Sequence, residues 1–144
     1  MKILPMRTKD EWDWLYARAT PTWTPRSRGI VALEKDGTIA AAAVFDSWTK
    51  TSCQAHIAIE NPLAIKYGFL HECLTYVFVD SGRRIIVGLT PSTNEKSLRF
   101  NKKMGFEVVH RMKDGWDEGV DYVVQELHKR NAGRWIYERR TRAA

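Results

Sequence analysis

Asn94–Phe106 reads NEKSLRFNKKMGF, and Arg83–Thr90 just ahead of it reads RRIIVGLT. The second stretch is apolar on both sides (Ile85, Ile86, Val87, Leu89), the pattern of a strand covered on both faces. After a short polar turn the first stretch opens as a helix, places a small residue, Ser97, one turn in, and breaks at Gly105. An apolar strand begins at Phe106. The unit is strand, turn, helix, glycine, strand.

Upstream, Met1–Met6 is expected to be a strand. Thr8-Lys9-Asp10-Glu11 is a capping box, with Thr8 as N-cap and Glu11 three residues on. The helix behind it carries Trp12, Leu15, Tyr16 and Ala19 at helical spacing and ends before Pro21. Gly29–Glu34 and Thr38–Phe45 flank Asp36-Gly37, which supplies a hairpin turn. Ser52–Glu60 alternates Ala55, Ile57 and Ile59 against Gln54, His56 and Glu60, and Asn61-Pro62 stops it. Ile65, Phe69, Cys73 and Val77 recur every fourth residue, predicting one helix over Ile65–Val79. Phe106–Met112 and Asp121–Leu127 are two late strands, and Ala132–Arg140 is expected to form a short helix carrying Trp135. The order β–α–β–β–β–α–β–α–β–β describes an α/β domain with a mixed central sheet and flanking helices.

The chain has 144 residues and a net charge of +6. That length suits one domain with a sizeable core. Six Lys/Arg and one Glu fall in Lys129–Ala144, so +5 of the charge sits there and the remaining body is only +1. The division read from this is a domain over 1–128 and a basic C-terminal extension over 129–144. A nearly neutral body speaks against a globally basic nucleic-acid-binding fold. No run approaches the roughly 20 apolar residues of a membrane span. The opening MKILPMRTKDEW has no secretory h-region, so a cytoplasmic location is expected. Cys53 and Cys73 lack metal or redox spacing and read as core thiols. No metal site is expected.

The corner Asn94, Ser97, Phe100, Lys103, Gly105, Phe106 resembles the GCN5-related N-acetyltransferase (GNAT) superfamily. The element order matches along nearly the whole chain, and the residue pattern over about Gly82–Leu127. The sequence is also similar to small GNAT-like proteins common in bacteriophage genomes, through LTYVF at Leu74–Phe78, Asp121–Val124 and Arg134-Trp135. The resemblance implies an enzyme that transfers an acyl group, acetyl above all, from acetyl-CoA to an amine acceptor. It implies that Ser52–Glu60 and Arg83–Thr90 run parallel and part at their C-terminal ends. The pantetheine arm would lie between them, along Ile57, Ala58 and Ile59, and the pyrophosphate at Lys66, Tyr67 and Gly68. Asn94, Ser97, Phe100 and Lys103 would complete the coenzyme site.

Two positions depart from the family pattern. The glycine-rich phosphate turn is reduced to Gly68 with Lys66 beside it, and the position that often holds an acidic Tyr is Asn101. Asn101 can hydrogen-bond the thioester sulfur without protonating it. For the general base, Glu60 at the end of its strand is the natural candidate, with His56 on the same face and Asp46 at the end of the preceding strand as alternatives. The acceptor pocket is expected near the early helix, the Thr20–Arg28 loop and the late hairpin, with Trp23, Trp48 and Trp116 as candidate walls. Two other readings stand beside the enzyme: a degenerate GNAT fold that binds a partner protein, and a nucleic-acid-associated protein using Arg139, Arg140, Arg142, Trp135 and Tyr137. The oligomeric state is open, a homodimer included.

Overall fold

The computed structural model describes residues 1–137. In chain order the elements are β1 (Lys2–Pro5), α1 (Lys9–Tyr16), β2 (Arg28–Leu33), β3 (Ile39–Asp46), β4 (Ser52–Ile59), α2 (Leu63–Lys66), α3 (Phe69–Thr75), β5 (Ile85–Pro91), α4 (Glu95–Met104), β6 (Glu107–Asp117) and β7 (Val120–His128). The strands form one sheet in the order β1-β2-β3-β4-β5-β7-β6. β4 and β5 run parallel and the other neighbours antiparallel. This is the mixed sheet the sequence pattern predicts.

Local chemistry sets the element ends. Thr8 accepts the Glu11 N–H at 3.2 Å, and the Glu11 carboxylate accepts the N–H groups of Thr8 and Arg7, so the capping box forms in full. The Asn94 side chain caps α4 by accepting the Ser97 N–H at 3.2 Å. Gly105 ends the same helix at φ 114°, a conformation open to glycine and strained for other residues.

β3 is buried along almost its whole length because helices cover both its faces. Ala41, Ala43 and Phe45 meet Phe69, Leu70 and Leu74 of the α3 side, with Ile86 of β5 and Met104 of α4 in the same cluster. Ala42 and Val44 join Val31 and Leu15 on the α1 side. The run of small side chains at Ala40–Ala43 lets both helix layers approach closely. Cys53 and Cys73 lie buried in the larger cluster. Burial pushes the Cys53 thiol up to about 12 and raises that of Cys73 as well, so neither supplies a thiolate near neutral pH.

Two expected helices differ. The run predicted over 65–79 is split by Gly68, whose φ of 96° lies in the left-handed region. α2 precedes the break, α3 follows it, and Tyr76–Asp80 continues as a widened π turn. The glycine, read as part of one continuous face, is a corner. Towards the C-terminus, Lys129–Asn131 and Gly133–Trp135 are 3-10 turns and Ile136 is extended. The expected 132–140 helix thus begins as a single 3-10 turn, anchored on α4. The Trp135 indole donates to the Met104 carbonyl at 3.2 Å, and the Arg134 guanidinium donates to the Lys103 carbonyl. Ala132 is fully buried, so the basic extension begins packed on the domain. Arg139, Arg140 and Arg142, with the rest of that expected helix, lie outside the described residues.

Candidate functional site

The parallel pairing of β4 and β5 covers Ser52–Ile85, Cys53–Ile86 and Gln54–Val87, and stops there. β4 runs on to Ile59, still paired to β3, and β5 runs on to Pro91, still paired to β7. Each strand is therefore held on its outer side while the inner sides part, as the sequence reading expects. The result is a wedge between two strand edges whose facing backbone groups have no ladder across the gap. Such an edge accepts an extended ligand that carries amides.

His56 sits just past the last pair. Strand alternation places it on the α1 face, opposite Val44 in the β3–β4 ladder and diagonal to Asp46. His56 Nε2 lies 3.0 Å from Asp46 Oδ2 and 3.1 Å from Oδ1. The Asp46 side chain is 2% exposed and that of His56 16%. Asp46 Oδ2 also accepts the Thr22 N–H at 2.9 Å. A carboxylate in that setting only accepts, so the network assigns the imidazole proton to Nε2 and leaves the lone pair on Nδ1. Across the sheet, Asn101 of α4 donates through Nδ2 to Gln125 Oε1 at 2.9 Å, and Gln125 is buried. A Cβ built on Gly88, the first β5 residue past the last pair, would stand 3.9 Å from Asn101 Nδ2. His56 and Asn101 thus flank the point of divergence from opposite faces.

No protein-family model and no curated protein matches the sequence. Solved structures do match in three dimensions. Spermidine/spermine N-acetyltransferase SpeG from Vibrio cholerae, in mutant form, superposes with a TM-score of 0.75 over 92% of this chain and 97% of its own, at 10% identity. A chimera of the V. cholerae enzyme and hSSAT gives 0.71 over 94% and 99%, at 12% identity. The smu.2055 protein of Streptococcus mutans UA159 gives 0.67 over 89% and 99%, at 21% identity.

The chain has the GNAT fold.

Within the GNAT fold the other sequence-derived candidates fall as follows. Ile57 and Ile59 point to the α3 side and pack on the larger core cluster, whereas Ala58 packs on the α1 cluster. Lys66, Tyr67 and Gly68 form the corner between α2 and α3, with Tyr67 exposed. Gly68 offers no capping side chain, and Phe69 and Leu70, which open the following helix, are fully buried. Asn94 and Ser97 stand at the opening end of α4, engaged with each other as its cap. Phe100 packs on the core. Lys103 lies in the last turn, about 13 Å along the axis from Asn94.

Glu60 follows β4 at the mouth of the wedge. Its Oε1 accepts from Arg18 Nε at 2.6 Å, with Glu60 55% and Arg18 34% exposed. A guanidinium at that distance takes one of the two carboxylate oxygens, while solvent screens the pair. Of the three base candidates, two are brought together (His56 with Asp46) and Glu60 is engaged elsewhere. Glu60→Gln is therefore expected to change stability by less than about 1 kcal/mol. Thermal melting of the variant beside the parent reads this.

A cavity of about 440 Å³ opens beside Asp46, lined by Thr22, Thr24, Pro25, Arg26, Ser47 and Trp48. It joins the Thr20–Arg28 loop to the end of β3, and Trp48 is the expected aromatic that lines it. Trp23 and Trp116 are exposed. Ser47 holds φ 52°, an uncommon conformation for a non-glycine residue, where the chain turns out of the strand. A larger concavity of about 900 Å³, lined by Arg84, His128, Lys129 and Arg130 among others, lies at the paired end of β5, away from the wedge. Sequence reasoning missed Gln125 and Arg18. Gln125 carried a usable signal: Val123, Gln125 and Leu127 alternate onto one buried face, which makes the glutamine a buried polar group in need of a partner. Among the described residues no three His, Cys, Asp or Glu side chains gather as a metal site, and no helix is long and apolar enough to cross a membrane.

Proposed function

We propose that the chain is an acyl-CoA-dependent N-acyltransferase, with acetyl-CoA as donor and a primary amine as acceptor. The observation that carries this reading is the wedge between β4 and β5 with an imidazole on one face and a hydrogen-bonding amide on the other. The parted strand edges take the pantetheine arm by backbone pairing, along Ile57–Ile59 on one side. Lys66 and the Gly68 corner face the diphosphate, where a cation favours negative charge. Asn94 and Ser97 border the same end of the opening.

For the transfer, the amine enters from the α1 face through the cavity beside Asp46. Its ammonium proton passes to His56 Nδ1, and Asp46 stabilises the imidazolium that forms. The amine nitrogen attacks the thioester carbonyl, the C–S bond breaks, the thiolate leaves towards the α4 face, and the nitrogen gives up its second proton to the departed thiolate or to water. Asn101 already spends one N–H on Gln125, so its remaining polar atoms orient the thioester or hydrogen-bond the sulfur. A coenzyme A thiolate departs near neutral pH without a proton donor, which fits an Asn in this position. Two of the three neighbours are polyamine N-acetyltransferases by name. Here the cavity presents one carboxylate, Asp46, and one guanidinium, Arg26, so an acceptor carrying both an amine and an anionic group suits it as well as a polyamine does.

The test is calorimetry with acetyl-CoA, followed by thiol release against polyamines, aminoglycosides, amino acids and N-terminal peptides. Acetyl-CoA at 100 times its Kd should stabilise the fold by about 2.7 kcal/mol. No heat and no thermal shift at millimolar acetyl-CoA would overturn the enzyme and leave the partner-binding reading of the fold.

A further inference from the structure

The Gly68 corner is contacted by the C-terminal segment of the same chain. A Cβ built on Gly68 would lie 2.7 Å from the Tyr137 hydroxyl, so that hydroxyl fills the space a side chain at 68 would take. Tyr137 is held there from two directions. Its backbone N–H donates to Thr75 Oγ1 at 2.8 Å, and Thr75 is fully buried. Its ring stacks on His71, with centroids 5.0 Å apart and planes 20° apart, while Trp135 meets His71 edge-on at 5.3 Å. The phenol therefore runs along α3 from Thr75 across His71 to Gly68. Its ring is fixed by contacts that have nothing to do with its oxygen. Among the described residues none hydrogen-bonds the hydroxyl, and Tyr137 is 39% exposed. An anchored ring that ends in an unspent donor, at a corner with Lys66 two residues away, is built to meet an anion.

The geometry points to Tyr137 as a coenzyme-binding residue whose hydroxyl donates a hydrogen bond to the diphosphate at the Gly68 corner. This rests on the acyl-CoA reading above. It gives Gly68 a role beyond its backbone conformation: the missing side chain makes room for the phenol, which supplies a donor that the reduced glycine turn lacks. It also makes the C-terminal segment a wall of the coenzyme site.

Tyr137→Phe removes the oxygen and keeps the ring on His71. Acetyl-CoA affinity, read by calorimetry, is expected to fall about tenfold, the scale of one hydrogen bond to a charged group. Without ligand the variant should melt with the parent. S-acetylpantetheine, which lacks the diphosphate, should stabilise parent and variant equally at the same millimolar concentration. A parent that binds acetyl-CoA while Tyr137→Phe binds it equally well, or more tightly, overturns the assignment alone. Equal loss of acetyl-CoA and S-acetylpantetheine binding also overturns it, because the effect then does not pass through the diphosphate. A parent that binds neither donor overturns the acyl-CoA reading and the assignment together.

Discussion

His56→Ala is expected to lower kcat/KM for amine acylation by roughly 10²–10⁴-fold, the usual cost of losing a general base. Acetyl-CoA affinity should change little, since the proposed coenzyme contacts are to the strand edges and the Gly68 corner rather than to His56. The reason is positional. His56 is the first α1-facing residue past the last β4–β5 pair, and Asp46 turns its Nδ1 lone pair free. Asp46→Asn probes the same point by another route. The amide it introduces can donate to Nε2, which favours the proton on Nδ1 and removes the base without removing the ring. A comparable loss is expected, and it should vary with pH differently from the parent. Single-turnover thiol release with a productive amine reads both variants. Full activity in His56→Ala, with coenzyme binding intact, would remove the imidazole from the mechanism.

The pairing behind that prediction shows what the sequence made legible. Asp46, His56 and Glu60 were each visible as polar residues at or near strand ends. Which two of them meet depends on the β3–β4 register, set by the Ser47–Thr51 turn, and that turn carries no dipeptide that fixes a loop length. Once Val44 faces His56, the diagonal to Asp46 follows. The element order was legible because helical and strand periods are local, as in Ile65–Val79 and Arg83–Thr90. The parting of β4 from β5 followed only through the family resemblance, since nothing within either strand marks Gln54 or Val87 as the last pair. The Tyr137–Gly68 contact joins residues far apart in sequence. The glycine was conspicuous as the remnant of a phosphate-binding turn, yet its partner could not be read from local pattern.

Gly105→Ala is expected to destabilise the fold by about 3 kcal/mol, and Gly37→Ala, its control, by only about 1 kcal/mol. Both glycines hold positive φ, 114° and 88°. The left-handed region costs an L-residue roughly 1–2 kcal/mol, a penalty common to both sites. They differ in what a Cβ would meet. Around Gly37, in an exposed hairpin turn, there is nothing within 4 Å. At Gly105 the new carbon would stand 2.9 Å from the Asn131 carbonyl oxygen and 3.2 Å from Leu127 Cδ1. The first neighbour is backbone at the start of the C-terminal segment, and the second belongs to a buried core leucine. The carbonyl, unlike the leucine methyl, cannot retreat without moving the segment that carries Ala132 and the Trp135 anchor on Met104. The substitution therefore adds displacement of the segment to backbone strain. Because that segment carries Tyr137 to the Gly68 corner, Gly105→Ala should also weaken acetyl-CoA binding, whereas Gly37→Ala should leave it unchanged. Chemical denaturation of the two variants, with calorimetry on the folded protein, reads both effects. Equal destabilisation by the two substitutions would mean that the segment yields freely at Asn131 and that conformational strain alone explains Gly105.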